Sequence, residues 1–419
     1  MFTADFESRH SDVEQAIEEA EGLAEAISLP ILHSLHVNIN KINPGRLFGK
    51  GTIENIEACI KEHKPDIVMV NHTLSPVQQR NLEKQFKKKV IDRTGLILEI
   101  FGERAQTKEG RIQVELAQLD YQRSRLVKSW SHLERQRGGT SFVGGPGESQ
   151  LEIDRRLIDQ RIVNLKNKLE KVRKTRDLAR KKRERVPYPV IAMVGYTNAG
   201  KSTLFNKITG ANVFAQDLLF ATLDPTMRRY KLPSGKTVIF SDTVGFISDL
   251  PTHLIEAFRA TLDQTQYADV ILHVRDTAQN DFDDHKHKVI SIMKDLGINY
   301  EEDERIFEVN NKIDICKSSR KNEIERHAAF HDNIIPVSAE TGEGIDDLIQ
   351  KIDDFLARQH ERIEYEVKIE DGKAIAWLYQ HADVIDTKES DAVSKIIVNI
   401  DPANKNRFEG LFEYAGHST

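Results

Sequence analysis

"GYTNAGKS", Gly195–Ser202, decides how the best-patterned part of this chain folds. Its spacing is G-x-x-x-x-G-K-[ST]. The apolar run "PVIAMVG" before it reads as a buried strand, and the stretch from Lys201 reads as a helix. Strand, glycine turn, helix is the context that this motif needs to hold a phosphate. The glycines let the backbone wrap the anion, and successive N–H groups point inward at the positive end of the helix. Lys201 is expected to reach the β- and γ-phosphates of a nucleotide, and Ser202 to ligate Mg2+. The bland alternative is a chance glycine-rich turn.

Three further motifs, each at the end of a strand-like run, weigh against chance. "DTVG", Asp242–Gly245, has the D-x-x-G form of a γ-phosphate sensor. Asp242 would hold Mg2+ through water, and the Gly245 N–H would face the γ-phosphate. "NKID", Asn311–Asp314, supplies a carboxylate able to accept from guanine N1–H and N2–H2, which adenine does not offer. Buried polar matching of that kind discriminates strongly. Asn311 and the stem of Lys312 would buttress loop and base. "SAE", Ser338–Glu340, would set the Ala339 N–H toward guanine O6. Each short motif is common alone; their order and placement together read as a GTPase. A metabolic P-loop kinase, one rival, has no need of "NKID". Between the first two motifs, "LFATLDPT" (Leu219–Thr226) offers Thr222 and Thr226 as Mg2+ ligands, or as plain turn caps.

The runs flanking these motifs read as a doubly wound α/β sheet over residues 187–358. "RYKLPSGKTVIFSD" reads as a hairpin turning at Pro233–Gly235. "DVILHVRD", "RIFEVNNKID" and "NIIPVSA" read as buried strands with helices between. Residues 1–108 alternate apolar runs with amphipathic stretches, as a small α/β domain does. There "DIVMV" (Asp66–Val70) is a strand, and Ser75 caps a helix with Pro at its first position. Residues 109–186 carry two apolar stripes at helical spacing: Ile112, Leu116, Leu119, Leu126, Trp130 and Leu133, then Leu151, Leu157, Ile158, Ile162, Leu165, Leu169 and Val172. "GGTSFVGGPGE" separates them, so an antiparallel helical hairpin with a Gly-rich tip is expected. Residues 359–419 read as a small α+β domain: strand "RIEYEVKIE", helix "KAIAWLYQHA", strand "KIIVNI" and a closing helix.

Charge is unevenly placed. The chain's net charge is −6, yet residues 109–186 hold 20 basic and 11 acidic residues, leaving −15 for the remainder. "KVRKTRDLARKKRER", Lys171–Arg185, contains nine basic and two acidic residues. That composition suits a phosphate backbone; the plain alternative is a solvated face with pairs such as Glu170–Lys174. "GKGT" (Gly49–Thr52) reads as a helix N-terminal turn sooner than a second anion site. "DDHKHK" (Asp283–Lys288) reads as the polar start of a surface helix, not a metal cluster. Two cysteines, Cys59 and Cys316, make no disulfide framework. The polar N-terminus is unlike a signal peptide, and no apolar run approaches the roughly 20 residues of a membrane helix. A cytoplasmic monomer without integral membrane association is expected.

Four stretches together resemble one family: "GRLFGKGTIENI" (Gly45–Ile56), "GGTSFVGGPGESQLEIDRR", "FATLDPT" and "DTVGFI". Over roughly residues 30–360 the chain is similar to the HflX family of ribosome-associated GTPases. The resemblance implies Thr222 as the Mg2+ ligand beside Ser202 and Asp242. It also implies binding to the large ribosomal subunit and splitting of stalled or idle ribosomes, often under stress. A rival reading keeps the N-terminal regions as an RNA-binding or RNA-remodelling module with the GTPase part as regulator. The expected contacts of GTP or GDP are Gly195, Tyr196, Thr197, Asn198, Ala199, Gly200, Lys201, Ser202 and Thr203. Phe220, Ala221, Thr222, Leu223 and Asp224 follow, then Asp242, Thr243, Val244 and Gly245. Asn311, Lys312, Ile313, Asp314, Ser338, Ala339 and Glu340 complete the set. Lys201, Thr222 and Gly245 are the residues expected to act on hydrolysis.

Phe246 stands where Ras-like enzymes place a water-orienting Gln after D-x-x-G. Phosphoryl transfer depends on positioning and charge neutralisation, so a Phe there implies slow intrinsic turnover. The missing electrostatics would come from the ribosome or from a monovalent cation. Asn198 sits at the loop position where similar K+-dependent GTPases carry a potassium ligand; the plain alternative is a polar loop residue.

Overall fold

The computed structural model describes the chain outside residues 1, 6–9, 40, 135–149, 184–187, 212–219, 221–225, 244, 247–264, 280–281, 359–360, 391, 401 and 419. The hairpin tip Gly138–Gly147 and the expected nucleotide contacts Ala221, Thr222, Leu223, Asp224 and Val244 lie outside the described residues.

Strands and helices alternate at the start: β1 (Phe2–Asp5), α1 (His10–Glu25), β2 (Leu35–Asn38), α2 (Lys50–His63), β3 (Ile67–Val70), α3 (Pro76–Phe86), β4 (Lys89–Asp92) and α4 (Arg93–Arg104). The strands form one parallel sheet in the order β2-β1-β3-β4. Local chemistry sets the helix starts. The Ser75 side chain accepts from the Gln78 N–H while the Gln78 side chain accepts from the Ser75 N–H, and Pro76 occupies the first turn. Asp92 caps α4 by accepting from the Gly95 N–H at 2.8 Å. Gly49 caps α2, as a helix-start reading of "GKGT" requires. The sequence reading names neither strand β1 nor helix α1, although Val13, Ile17, Ala20, Leu23 and Ala24 recur at helical spacing.

The hairpin is α5 (Lys108–Glu134) and α6 (Gln150–Arg183). Ile112 and Leu116 pack with Ile162, Leu165 and Leu169 in a cluster of their own, flanked by Leu119, Ile158 and Val172. Leu157, placed on that stripe from the sequence, is instead 56% exposed. Adjacent helical residues point about 100° apart, and Ile158 takes the inward direction. Asp92 also ties the hairpin to the first sheet, accepting from Tyr121 Oη and from Arg125 Nη2 at 2.6 Å.

The central sheet contains β5 (Val190–Val194), β6 (Thr226–Lys231), β7 (Thr237–Asp242), β8 (Val270–Asp276), β9 (Ile306–Asn311) and β10 (Ile334–Pro336), in the order β10-β9-β8-β5-β7-β6. All pairs are parallel except β6 with β7, whose hairpin turns through Leu232–Lys236. Helices α7 (Lys201–Thr209), α8 (Phe282–Asp295), α9 (Ser318–Ala328) and α10 (Ile345–Arg358) belong to this unit. Every residue of β8 and β9 is buried, as expected of parallel strands covered on both faces. The fold class is therefore α/β and multidomain, built around a doubly wound sheet. The chain reverses direction around β5, which places a crevice at the carboxyl ends of β5, β7, β8 and β9.

The last unit runs β11 (Glu361–Lys368), α11 (Gly372–His381), β12 (Asp383–Glu389), β13 (Val393–Ile400), α12 (Pro402–Phe412) and β14 (His417–Ser418). Its antiparallel order, β12-β13-β11-β14, is that of a split β-α-β sandwich. Ile363, Tyr365, Val367, Ile396, Val398 and Phe408 fill its core. The sequence reading missed β12, whose "DVIDTKE" is polar and broken by a register shift between Val384 and Asp386.

A charged cluster lies within the central unit. Arg275 pairs with Glu308, Lys286 Nζ sits 2.6 Å from the same carboxylate, and His273 Nδ1 lies 2.7 Å from Tyr300 Oη. Burial pushes the His273 imidazole down to about 3, helped by the nearby cations and opposed by Glu308. An unfolded His takes up its proton near pH 6.5 while the folded one does not, so this contribution is intact above about 6.5. It is lost as pH falls from there toward 3, by up to about 1.4 kcal/mol per unit. His273→Gln should flatten the drop in melting temperature between pH 6.5 and 5; an unaltered slope would assign acid sensitivity elsewhere.

Candidate nucleotide site

Four loop segments meet at the crevice. The first joins β5 to α7. Gly200 has φ +86, and a side chain there would collide with the Asn311 amide. Asn198 is also left-handed, at φ +59, and is exposed. Lys201 is 6% exposed, and its ammonium donates to Gly195 O at 3.1 Å and Tyr196 O at 2.7 Å. Burial pushes its pKa down to about 8, against the pull of the Asp242 carboxylate. Thr197 is buried, with no hydrogen-bond partner on Oγ1.

The second segment follows β7. Asp242 is fully buried, and Ser202 Oγ donates to its Oδ2 at 2.7 Å. Two hard oxygen donors so close form a donor set that fits Mg2+. Thr243 Oγ1 donates to Met193 O, tying this segment to β5. A Cβ on Gly245 would come within 2.9 Å of both Lys201 Nζ and Thr197 Cγ2 and 3.0 Å of Thr197 Cα, so a larger residue would push on the first loop. Phe246 then forms a one-residue bridge with Tyr196: the Thr197 N–H donates to Phe246 O at 2.6 Å and the Phe246 N–H to Gly195 O at 3.1 Å.

Asn311 organises the other two segments. Its Nδ2 donates to Ala199 O at 2.9 Å, and its Oδ1 accepts from the Ala339 N–H at 2.9 Å. The N–H assigned from the sequence to guanine O6 is thus engaged by Asn311 here. Lys312 is left-handed at φ +65, and its ammonium lies 2.8 Å from Asp276 Oδ2. Ile313 is buried and Asp314 exposed. Ser338 is fully buried, its Oγ accepting from the Thr341 N–H, while Glu340 is exposed with its carbonyl held by Lys207 Nζ at 3.0 Å. Thr203 is half-buried on α7 and Phe220 buried.

The ring of Phe246 is 3% exposed and lies in one apolar cluster with Tyr196, Phe220, Leu96, Ile97 and Phe101. Phe101 of α4 and Phe220 meet edge to face at 4.7 Å. The greasy residue after D-x-x-G therefore belongs to a core shared between the N-terminal unit and the central sheet. A polar link runs beside it. Tyr196 Oη donates to Glu19 of α1 at 2.6 Å, and Glu19 also takes Arg93 Nη2 at 2.6 Å. His285 of α8 stacks on the Tyr196 ring with centroids 3.7 Å apart. Sequence reading missed Glu19, 177 positions from its partner, and took His285 for a surface residue; no local signal marks either one.

Four family models cover most of the chain. They are described as GTP-binding GTPase N-terminal (residues 14–102), GTP-binding GTPase middle region (104–183), 50S ribosome-binding GTPase (190–312) and HflX C-terminal domain (323–409). Over 403 residues the chain is 45% identical to a GTPase HflX of Magnetococcus marinus, covering 96% of this chain and 92% of the relative. The chain belongs to the HflX family of GTPases. The GTPase HflX of Escherichia coli is 40% identical over 364 residues, 87% of this chain and 84% of that one. A solved structure described as an SsGBP and GDP complex is similar in fold, with a TM-score of 0.51 at 23% identity, covering 85% of this chain and 98% of that one. As the family requires, this is a GTP hydrolase with a nucleotide-binding P-loop domain.

Replacing the buried ring by the polar residue of Ras-like enzymes tests the shared core. Phe246→Gln should cost about 2–5 kcal/mol of stability in a denaturant titration. An unchanged midpoint would show that the ring contributes no buried contact.

Proposed function

We propose that this chain is a GTP-switched factor that docks on the large ribosomal subunit and splits stalled or idle ribosomes. The observation that carries this reading is the crevice itself: guanine-type and phosphate-type loops converge there, and its D-x-x-G segment runs straight into a core shared with the N-terminal unit and its basic hairpin. A nucleotide-dependent shift at Gly245–Phe246 would be felt at once by that unit. The four segments proposed to act as units are 1–108, 109–186, 187–358 and 359–419.

In this reading the first loop wraps the phosphates and Lys201 neutralises them. Burial lowers its pKa, and a phosphate beside it would favour the charged form. Asp314, exposed at the crevice, accepts from guanine N1–H and N2–H2, and Lys312 lends its stem to the base. Ser202 and Asp242, with Thr222, would hold Mg2+, which supplies charge neutralisation at the phosphates. Phe246 offers no polar atom to orient water, so basal turnover is slow and contact with the ribosome completes the site. Asn198 is the proposed ligand of K+ as a second cation. The stripe Lys171–Arg185 supplies salt-dependent attraction to rRNA. Among the described residues no helix is long and apolar enough to cross a membrane, and a cytoplasmic monomer fits this role.

Sedimentation with purified large subunits tests the docking. The chain should co-sediment with a non-hydrolysable GTP analogue at least about tenfold more tightly than with GDP. Nucleotide-independent binding would remove the switch. Basal hydrolysis should run faster in K+ than in Na+ at equal ionic strength, and Asn198→Ala should erase the difference; equal rates in the two salts would dismiss the second cation.

A further inference from the structure

Asp276 ends β8, one strand away from the first loop, and its side chain is 7% exposed. Both carboxylate oxygens are engaged. Oδ1 accepts from the Ala278 N–H at 2.9 Å, closing the turn after the strand, and Oδ2 faces Lys312 Nζ at 2.8 Å. Lys312 begins just past the end of β9 with φ +65, so its four-methylene stem runs from the end of β9 back to the end of β8. The frame beneath is rigid. Asp276 is in register with Asn311, and the Thr277 N–H and Oγ1 both donate to Asn311 O, at 3.0 and 2.8 Å. From the far side, Arg320 of α9 donates to Gln279 O at 2.5 Å. Asn311 in turn holds the first loop through Ala199 O.

We propose that Asp276 is a positioning residue for guanine-nucleotide binding: it anchors the Lys312 ammonium so that the lysine stem is a preformed apolar ledge for the base. The proposal rests on reading the "NKID" loop as the base site. A free lysine side chain carries about 2 kcal/mol of rotamer entropy. An anchor that orders it before the ligand arrives removes that cost from binding. An uncharged residue at 312 would lose the charge-assisted contact with Asp276 Oδ2. Asp276 touches no group expected to meet phosphate, so its effect falls on the base. Diphosphate and triphosphate should feel it equally.

The test is Asp276→Asn in the full chain, which keeps the acceptor for the Ala278 N–H and removes the charge. The Kd for GDP and for a non-hydrolysable GTP analogue should rise by one common factor of about tenfold. KM should follow and kcat should stay. Pyrophosphate, which has no base, should compete equally well against both proteins. In a Lys312→Met background, adding Asp276→Asn should change the GDP Kd by less than about twofold; the double variant also avoids stranding a buried charge. A GDP Kd unmoved by Asp276→Asn, with Lys312→Met still harmful, would overturn the anchor and leave Asp276 as a turn cap. An equal penalty in the Met background would overturn it too, placing the effect in the turn. If Lys312→Met itself leaves GDP affinity intact, the anchor is overturned; an Asp314→Asn variant that also keeps its GDP affinity marks failure of the base-site reading beneath the proposal instead.

Discussion

One primary amide holds the crevice together. Asn311 has a single side-chain carbonyl and a single NH2 group, and it spends them on two loops that are distant in sequence, at Ala339 and Ala199. Its own carbonyl takes two further donors from Thr277. An aspartate or a leucine at this position would leave at least one buried backbone group unsatisfied, a loss of about 1–3 kcal/mol for each. The arrangement needs parallel strands, because only they bring four loop starts to the same end of a sheet. Strand order, motif order and the amide are thus one constraint seen at three scales.

Lys201 illustrates how that frame tunes chemistry. The same wrapping that aims backbone groups inward also dries out the lysine, which is why its ammonium is held less firmly than in water. Desolvation wins over the nearby Asp242 charge because the side chain is almost wholly enclosed while the carboxylate is shared with Ser202. An anionic ligand would reverse the balance. The loop is therefore poised to gain more from a phosphate than an exposed lysine could.

Much of this was legible beforehand, and the reasons are local. Gly200 is constrained by backbone shape and Gly245 by close neighbours, and Lys201 heads the helix that the motif opens, so their types betray their places. The hairpin stripes and the capping box at Ser75 obey short-range periodicity. What was hidden depends on distant neighbours. Nothing near Glu19 foretells a tyrosine 177 residues on, and nothing in "DDHKHK" foretells a stacked ring. Asp276 looked like the polar end of a buried strand; its partner lies one strand over. Strand β12 escaped because its sheet role rests on pairing with β13, not on alternation of its own. Leu157 was misplaced by a single residue of helical phase.

The shared core at Leu96, Phe101, Phe220 and Phe246 also limits how such a chain can change over generations. Rings that meet edge to face across two units leave no room for either side to drift alone. A substitution on α4 that altered ring volume would need a matching one in the segments flanking the phosphate loops, where few alternatives are tolerated. The N-terminal unit is therefore expected to travel with its own GTPase partner through descent, and shuffling it onto a foreign one would expose bare aromatic surface. That surface would be prone to clump with other chains.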